Sequence, residues 1–116
     1  MKLMGLVVVS ATLLTGCASK TIYSWGHYED LIYTSYAKPG KVTAELQVEK
    51  LEEDFQKAKA GPKPVPPGFH AHLGCLYYEL GKSDQARQEF ETEKANFPES
   101  SVFMDRMLAK LNTPTP

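Results

Sequence analysis

An all-α chain, a short stack of antiparallel helical hairpins closed by a C-terminal capping helix, follows from three features of the sequence. Apolar residues recur three and four apart in several segments, the period of a helix face. Those segments are punctuated by Pro39-Gly40, Gly81 and Pro98, residue types that end helices. At 116 residues, with 42% hydrophobic and 23% charged side chains, the chain suits one small globular domain.

The elements can be taken in order. Tyr28, Leu31, Ile32 and Tyr36 fit a first short helix that stops before Pro39. Thr43 opens a second, with Val48, Leu51, Phe55 and Ala58 along one face. Its carboxylates Glu45, Glu49 and Glu52 come early and Lys57 and Lys59 late, which suits the helix macrodipole. Together these two make an irregular hairpin. Gly61-Pro62-Lys63-Pro64-Val65-Pro66-Pro67-Gly68 is a stiff, extended connector. Phe69, Leu73, Leu76, Tyr77 and Leu80 then mark a third helix ended by Gly81. Ser83 with Asp84 can cap a fourth, faced by Ala86, Phe90 and Phe97 and closed by Pro98. Ser100 or Ser101 can cap a fifth, whose stripe of Phe103, Met104, Met107, Leu108 and Leu111 would close the stack.

The third and fourth helices resemble a tetratricopeptide repeat, whose pattern is W-x2-L-G-x2-Y, A-x3-F, P. Here it reads His70-x2-Leu73-Gly74-x2-Tyr77, Ala86-x3-Phe90, Pro98. Small Gly74 and Ala86 would let two helices approach, while Tyr77 and Phe90 fill the space between hairpins. Two positions depart from the pattern: His70 stands for Trp, and Glu93 stands where a small residue would pack. A plain αα-hairpin is the simpler reading. If the resemblance holds, partners would use the face carrying Ala71, Cys75, Tyr78 and Glu79. Of these Tyr78 is the strongest anchor, since Tyr is enriched at the energetic centres of interfaces. Packing of Tyr78 against a neighbouring hairpin is the alternative.

The N-terminus reads as an address. Lys2 is followed by an uncharged run to Gly16 of about 14 residues, short of the ~20 needed to span a bilayer. Leu14-Thr15-Gly16-Cys17 resembles the bacterial lipobox. In that family the cysteine takes a diacylglyceryl group and becomes the first mature residue. The resemblance implies a signal peptide over 1–16, lipid attachment at Cys17 and an anchor with tether over 17–22. A helical domain over 23–112 and a disordered tail over 113–116 follow. Ala18, rather than Asp, after the cysteine implies an outer-membrane anchor facing the periplasm. Cys75 would then have no internal partner.

Tyr23-Ser24-Trp25-Gly26-His27-Tyr28 through Tyr36 crowds five aromatic rings and a histidine together. Most fit a small core, with Tyr hydroxyls at the surface. Membrane-surface contact is a second reading, because a five-residue tether, Ala18 to Ile22, reaches at most about 17 Å. Stacking on a sugar or peptide is a third.

The remaining chemistry is sparse. A formal charge of −1 with no basic block argues against nucleic acid. His72 and Cys75 share a helix face but His70 does not, and a tetrahedral site needs more ligands, so no metal is expected. Cys75 reads as a small buried hydrophobe, or as a thiol for a disulfide to a partner. Glu29-Asp30 and Glu52-Glu53-Asp54 read as helix faces rather than acid/base pairs. No catalytic residue, cofactor or small-molecule substrate is expected, and the chain reads as a non-enzyme.

Over the mature chain, the segments Y-S-W-G-H-Y-E-D-L-I-Y, P-P-G-F-H-A-H-L-G and E-K-A-N-F-P-E-S-S-V-F-M-D resemble a family of small Gram-negative lipoproteins sharing a domain of unknown function. Its members tend to be encoded beside a lipoprotein similar to the curli secretion pore and another small lipoprotein. That implies a protein-interaction adaptor, accessory to an envelope assembly or secretion complex, with an envelope lipoprotein as partner. A structural lipoprotein that contacts peptidoglycan is the alternative.

Overall fold

The computed structural model describes residues 16–17 and 20–113. Among the described residues it contains α-helices and one short 3-10 turn, and no strand. The helices are α1 (Tyr28–Ala37), α2 (Ala44–Ala60), α3 (Phe69–Glu79), α4 (Ser83–Asn96) and α5 (Ser101–Leu111), with the 3-10 turn at Pro98–Ser100. Consecutive helices form antiparallel pairs: α2 packs on α3, α3 on α4, and α4 on α5.

Most boundaries have the expected local cause. Thr43 Oγ1 accepts from the Leu46 N–H at 3.2 Å, capping α2. α3 ends in a Schellman turn: the N–H groups of Lys82 and Gly81 donate to the carbonyls of Tyr77 and Tyr78, at 2.8 and 3.0 Å. Gly81 sits there at φ +73°, a left-handed conformation that favours glycine. α1 stops before Pro39, and α4 stops at Asn96 ahead of Pro98. Two caps are not made as expected. Lys82 is the N-cap residue of α4, and no side chain caps that helix. The Ser100 hydroxyl donates back to the Phe97 carbonyl at 2.7 Å, because its backbone is already wound into the 3-10 turn.

The core lies between α2, α3, α4 and α5. Leu51, Phe69, Leu73, Ala86, Phe90 and Met104 are each no more than 1% exposed. Burying a Leu or Phe side chain is worth roughly 1.5–3 kcal/mol, so this cluster supplies the main drive to fold. α5 contributes Met104 and Leu108, with Met107 and Leu111 packed beside them. Phe103 instead lies on the flank of that stripe and is 55% exposed. The connector is not a free strap, for Val65 and Pro66 are buried. The Ser24 N–H also donates to the Pro64 carbonyl at 2.8 Å, so the segment before α1 runs against the connector.

The tightest approach is that of α3 to α4. A Cβ placed on Gly74 would sit 2.5 Å from the Phe90 ring, so the two helices close to this separation only over a glycine. Gly74→Ala should therefore lower stability by about 1–3 kcal/mol through overpacking. The gain in helix propensity, about 1 kcal/mol, is the smaller effect. Urea unfolding measures the difference, and an unchanged or raised midpoint would contradict the close approach.

Candidate functional site

Three buried polar contacts set the positions of the surfaces that could meet a partner. The first is Glu93 of α4, which is 2% exposed. Its Oε1 accepts from the Gly68 N–H at 2.7 Å and its Oε2 from the Ala71 N–H at 3.3 Å. Gly68 is the N-cap residue of α3, at φ +91°, and has no side chain to cap its own helix. A carboxylate from the neighbouring helix does so instead, at the end where the macrodipole favours negative charge. Glu93 stands where a small residue was expected, and this cap accounts for the departure.

The second contact is Asp54 of α2, 4% exposed. It accepts from the His27 N–H at 2.6 Å and from the His27 ring Nδ1–H at 2.9 Å. Asp54 thereby caps α1 from outside, and within this acidic run of α2 only Glu53 is exposed. Gly26 turns at φ +50° directly over this carboxylate, where a Cβ would collide with it. Glu52 also faces inward and accepts from the Tyr77 hydroxyl at 2.6 Å. Burial first, and then Glu52, pushes Tyr77 ionisation well above the usual phenol range.

The third contact joins three helices. Gln47 of α2 is buried, and its Oε1 lies 3.1 Å from both Ser35 Oγ of α1 and His72 Nε2 of α3. Burial lowers the pKa of His72, so the ring is neutral near pH 7.

The rings of the aromatic segment divide. Tyr23, Trp25 and Tyr28 are half-buried. With Phe97, Phe69, His70 and Phe55 they form a continuous chain whose neighbouring centroids lie 5.0–6.4 Å apart. Burial, reinforced by Glu93 and Tyr36, raises the Tyr28 pKa. Tyr33 and Tyr36, by contrast, are 69% and 83% exposed. Along one side of the ring chain opens a groove of about 650 Å³, between the segment before α1, the end of α2, the connector and the end of α4. Tyr23, Phe55, His70 and Phe97 wall it, and Lys59 and Lys63 stand among its lining residues.

The residues selected from the sequence lie elsewhere, along α3. Ala71 and Cys75 are half-buried against the core, while Tyr78 and Glu79 at the end of the helix are exposed. Burial raises the Cys75 pKa against the opposing pull of Lys110 on α5, which keeps the thiol protonated. His70 and His72 diverge, one to Glu89 at 2.6 Å and the other to Gln47. Among the described residues no group of three or more His, Cys, Asp or Glu side chains is placed to hold a metal. Cys17 is exposed. The signal segment expected over 1–16 lies outside the described residues except for Gly16, and the expected tail does so except for Thr113. Among the described residues no helix is long and apolar enough to cross a membrane.

Sequence reasoning missed Asp54 and Gln47, which carry no pattern of their own, and the groove, which arises only when four segments meet. Glu93 did leave a signal, as an acidic residue at a packing position. The model of one family, described as "Domain of unknown function (DUF4810)", matches residues 22–107. No curated protein and no solved structure matches the chain.

Glu93→Ala should lower stability by about 1.5–3 kcal/mol, the scale of a lost charge-assisted bond to buried amides. It should also bring the Tyr28 pKa down, and an ultraviolet titration that finds Tyr28 unmoved would contradict the contact. His72 sets an acid limit. Its folded pKa lies below the unfolded value of 6.5, so the unfolded chain takes up the proton first. Its contribution is complete above about pH 6.5 and is lost as pH falls through the lowered folded value. Urea midpoints at pH 7.5 and 5.5 should therefore differ less in His72→Gln than in the parent, and an equal difference would exclude His72 as the source.

Proposed function

Because the chain belongs to the DUF4810 family, whose model spans residues 22–107, we propose a role for it on the residues themselves: a lipid-anchored, periplasm-facing protein-interaction adaptor of the outer membrane, acting in an envelope assembly or secretion complex. Its partner is an envelope lipoprotein of the kind that resembles the curli secretion pore, and it acts without catalysis. Lipidation of Cys17, after Leu14-Thr15-Gly16, supplies the anchor. α3 and α4 form a tetratricopeptide-like hairpin. The close approach of α3 to α4 over Gly74 supports that reading, although the Phe90 ring fills space within the hairpin rather than between hairpins.

The observation that carries the adaptor reading is Tyr78. It leaves a helix whose opposite face is fully buried, yet stands 41% exposed, next to exposed Glu79 and in line with Ala71 and Cys75. A large ring kept at a helix surface beside a charged group suits an anchor for a protein partner. A second reading, a structural lipoprotein that touches peptidoglycan, is favoured by the exposed Tyr33 and Tyr36 on α1.

Pull-down from detergent-solubilised envelopes distinguishes the two. The intact protein should capture a defined envelope lipoprotein, and Tyr78→Ala should reduce that capture at least tenfold while its helical circular dichroism is unchanged. Capture indifferent to Tyr78, together with co-sedimentation with purified peptidoglycan that is lost on Tyr33→Ala/Tyr36→Ala, would replace the adaptor by the structural role.

A further inference from the structure

The groove beside the ring chain has the chemistry of an anion site with apolar walls. Lys59 and Lys63 bring two ammonium groups to it, and none of its lining residues is acidic. Lys59 Nζ lies 4.9 Å from the centre of the Phe55 ring, which holds the charge over an aromatic wall. Lys63 Nζ reaches Thr21 Oγ1 at 3.3 Å, a single long bond that leaves other donor directions open. Lys57 lines an adjoining smaller notch with Lys63, although its charge is shared with Glu53 at 2.7 Å.

A buried polar group faces the same space. His70 is 2% exposed, and its Nδ1 is taken by Glu89 at 2.6 Å. Nε2 has no hydrogen-bond partner among the described residues, and His70 is one of the residues that line the groove. A ring held by a carboxylate at one nitrogen, with the other unpaired, at the wall of a basic, aromatic cleft can meet an oxygen-bearing ligand. The volume of about 650 Å³ lies within the range of small-ligand sites.

Position identifies the ligand's source. Tyr23 walls the groove, and only the five residues Ala18 to Ile22 separate it from Cys17. Extended, that tether reaches at most about 17 Å. On the anchored reading given above, on which this inference rests, the groove is therefore held at headgroup depth. Ile22, 71% exposed, and Lys20 lie on the tether itself, an apolar and a basic side chain suited to the same boundary. We propose that the groove takes the phosphate headgroup of an anionic phospholipid of the anchoring membrane. Lys59 and Lys63 pair with the phosphate, Nε2 of His70 bonds the polar headgroup, and Tyr23, Phe55 and Phe97 cover the glycerol and first methylenes. Seating the headgroup would fix the orientation of the helical domain on the membrane, which a single lipid tether does not.

The test uses the full chain as produced, purified in a neutral detergent, with the acylation of Cys17 read first by mass spectrometry. Short-chain phosphatidylglycerol, short-chain phosphatidylcholine and inorganic phosphate are then titrated in parallel. The readout is the emission of Trp25, the chain's one tryptophan, which contacts Tyr23 of the groove wall. Phosphatidylglycerol should give a saturable change at least tenfold tighter than phosphatidylcholine, and Lys59→Gln/Lys63→Gln should weaken it about tenfold with helical circular dichroism unchanged. Equal response to both lipids, an equal response to inorganic phosphate alone, or indifference to the double substitution would overturn the proposal. Selection of phosphatidylglycerol by a chain that carries no lipid on Cys17 would support the groove and sink the anchor.

Discussion

One carboxylate organises the middle of this protein. Glu93 closes the amide end of α3 from α4, and in doing so it draws the end of the connector against α4. Without it, the N–H groups of Gly68 and Ala71 at the start of α3 would lose their acceptor. Because Phe69 and His70 follow directly on the capped glycine, the same bond sets where the ring chain starts. Tyr28 packs over that glycine, at a place where any Cβ would press on its hydroxyl. The cap thus couples a helix terminus, a connector and an aromatic core through one side chain.

The remaining order extends outward from that cap by polar ties rather than by apolar burial alone. α1 gives the core only one buried residue, Leu31, and is held by Asp54 at its start and by Gln47 near its end. Such an attachment is directional. It sets which rings of the aromatic segment turn inward, and it leaves Tyr33 and Tyr36 outside. α3 and α4, in contrast, are joined by close packing across Gly74 and Phe90, which tolerates little change of volume.

Much of the fold was legible in the sequence, because helix period, Thr43, Gly81 and Pro98 act over a few residues. The close approach of α3 to α4 over Gly74 was legible too, as a small residue at a fixed offset; that the Phe90 ring is what meets it was not, because the repeat pattern places that ring between hairpins. Caps supplied from another helix were not. Asp54 and Gln47 sit amid ordinary polar helix residues, and only the tertiary arrangement tells them from their exposed neighbours. The same holds for the groove, whose lysines look like common helix-end and linker charges until Tyr23 and Phe97 arrive beside them. Of the face on α3, Tyr78 and Glu79 stand exposed. Ala71 and Cys75 are spent largely on packing.

The hydrogen bond from Ser24 to Pro64 has a mechanical consequence. Any tension drawn through the segment ahead of Ser24 passes the long side-chain bond between Thr21 and Lys63, then meets the domain's backbone at the Ser24 bond, and next at the paired bonds from His27 to Asp54. These lead straight to the connector and to α2. Residues 28–43, all of α1 and its following turn, then form a side loop that carries no load. A pull on the N-terminal end would be borne in parallel by the middle of the molecule, and the weakly buried first helix would be shielded from unravelling.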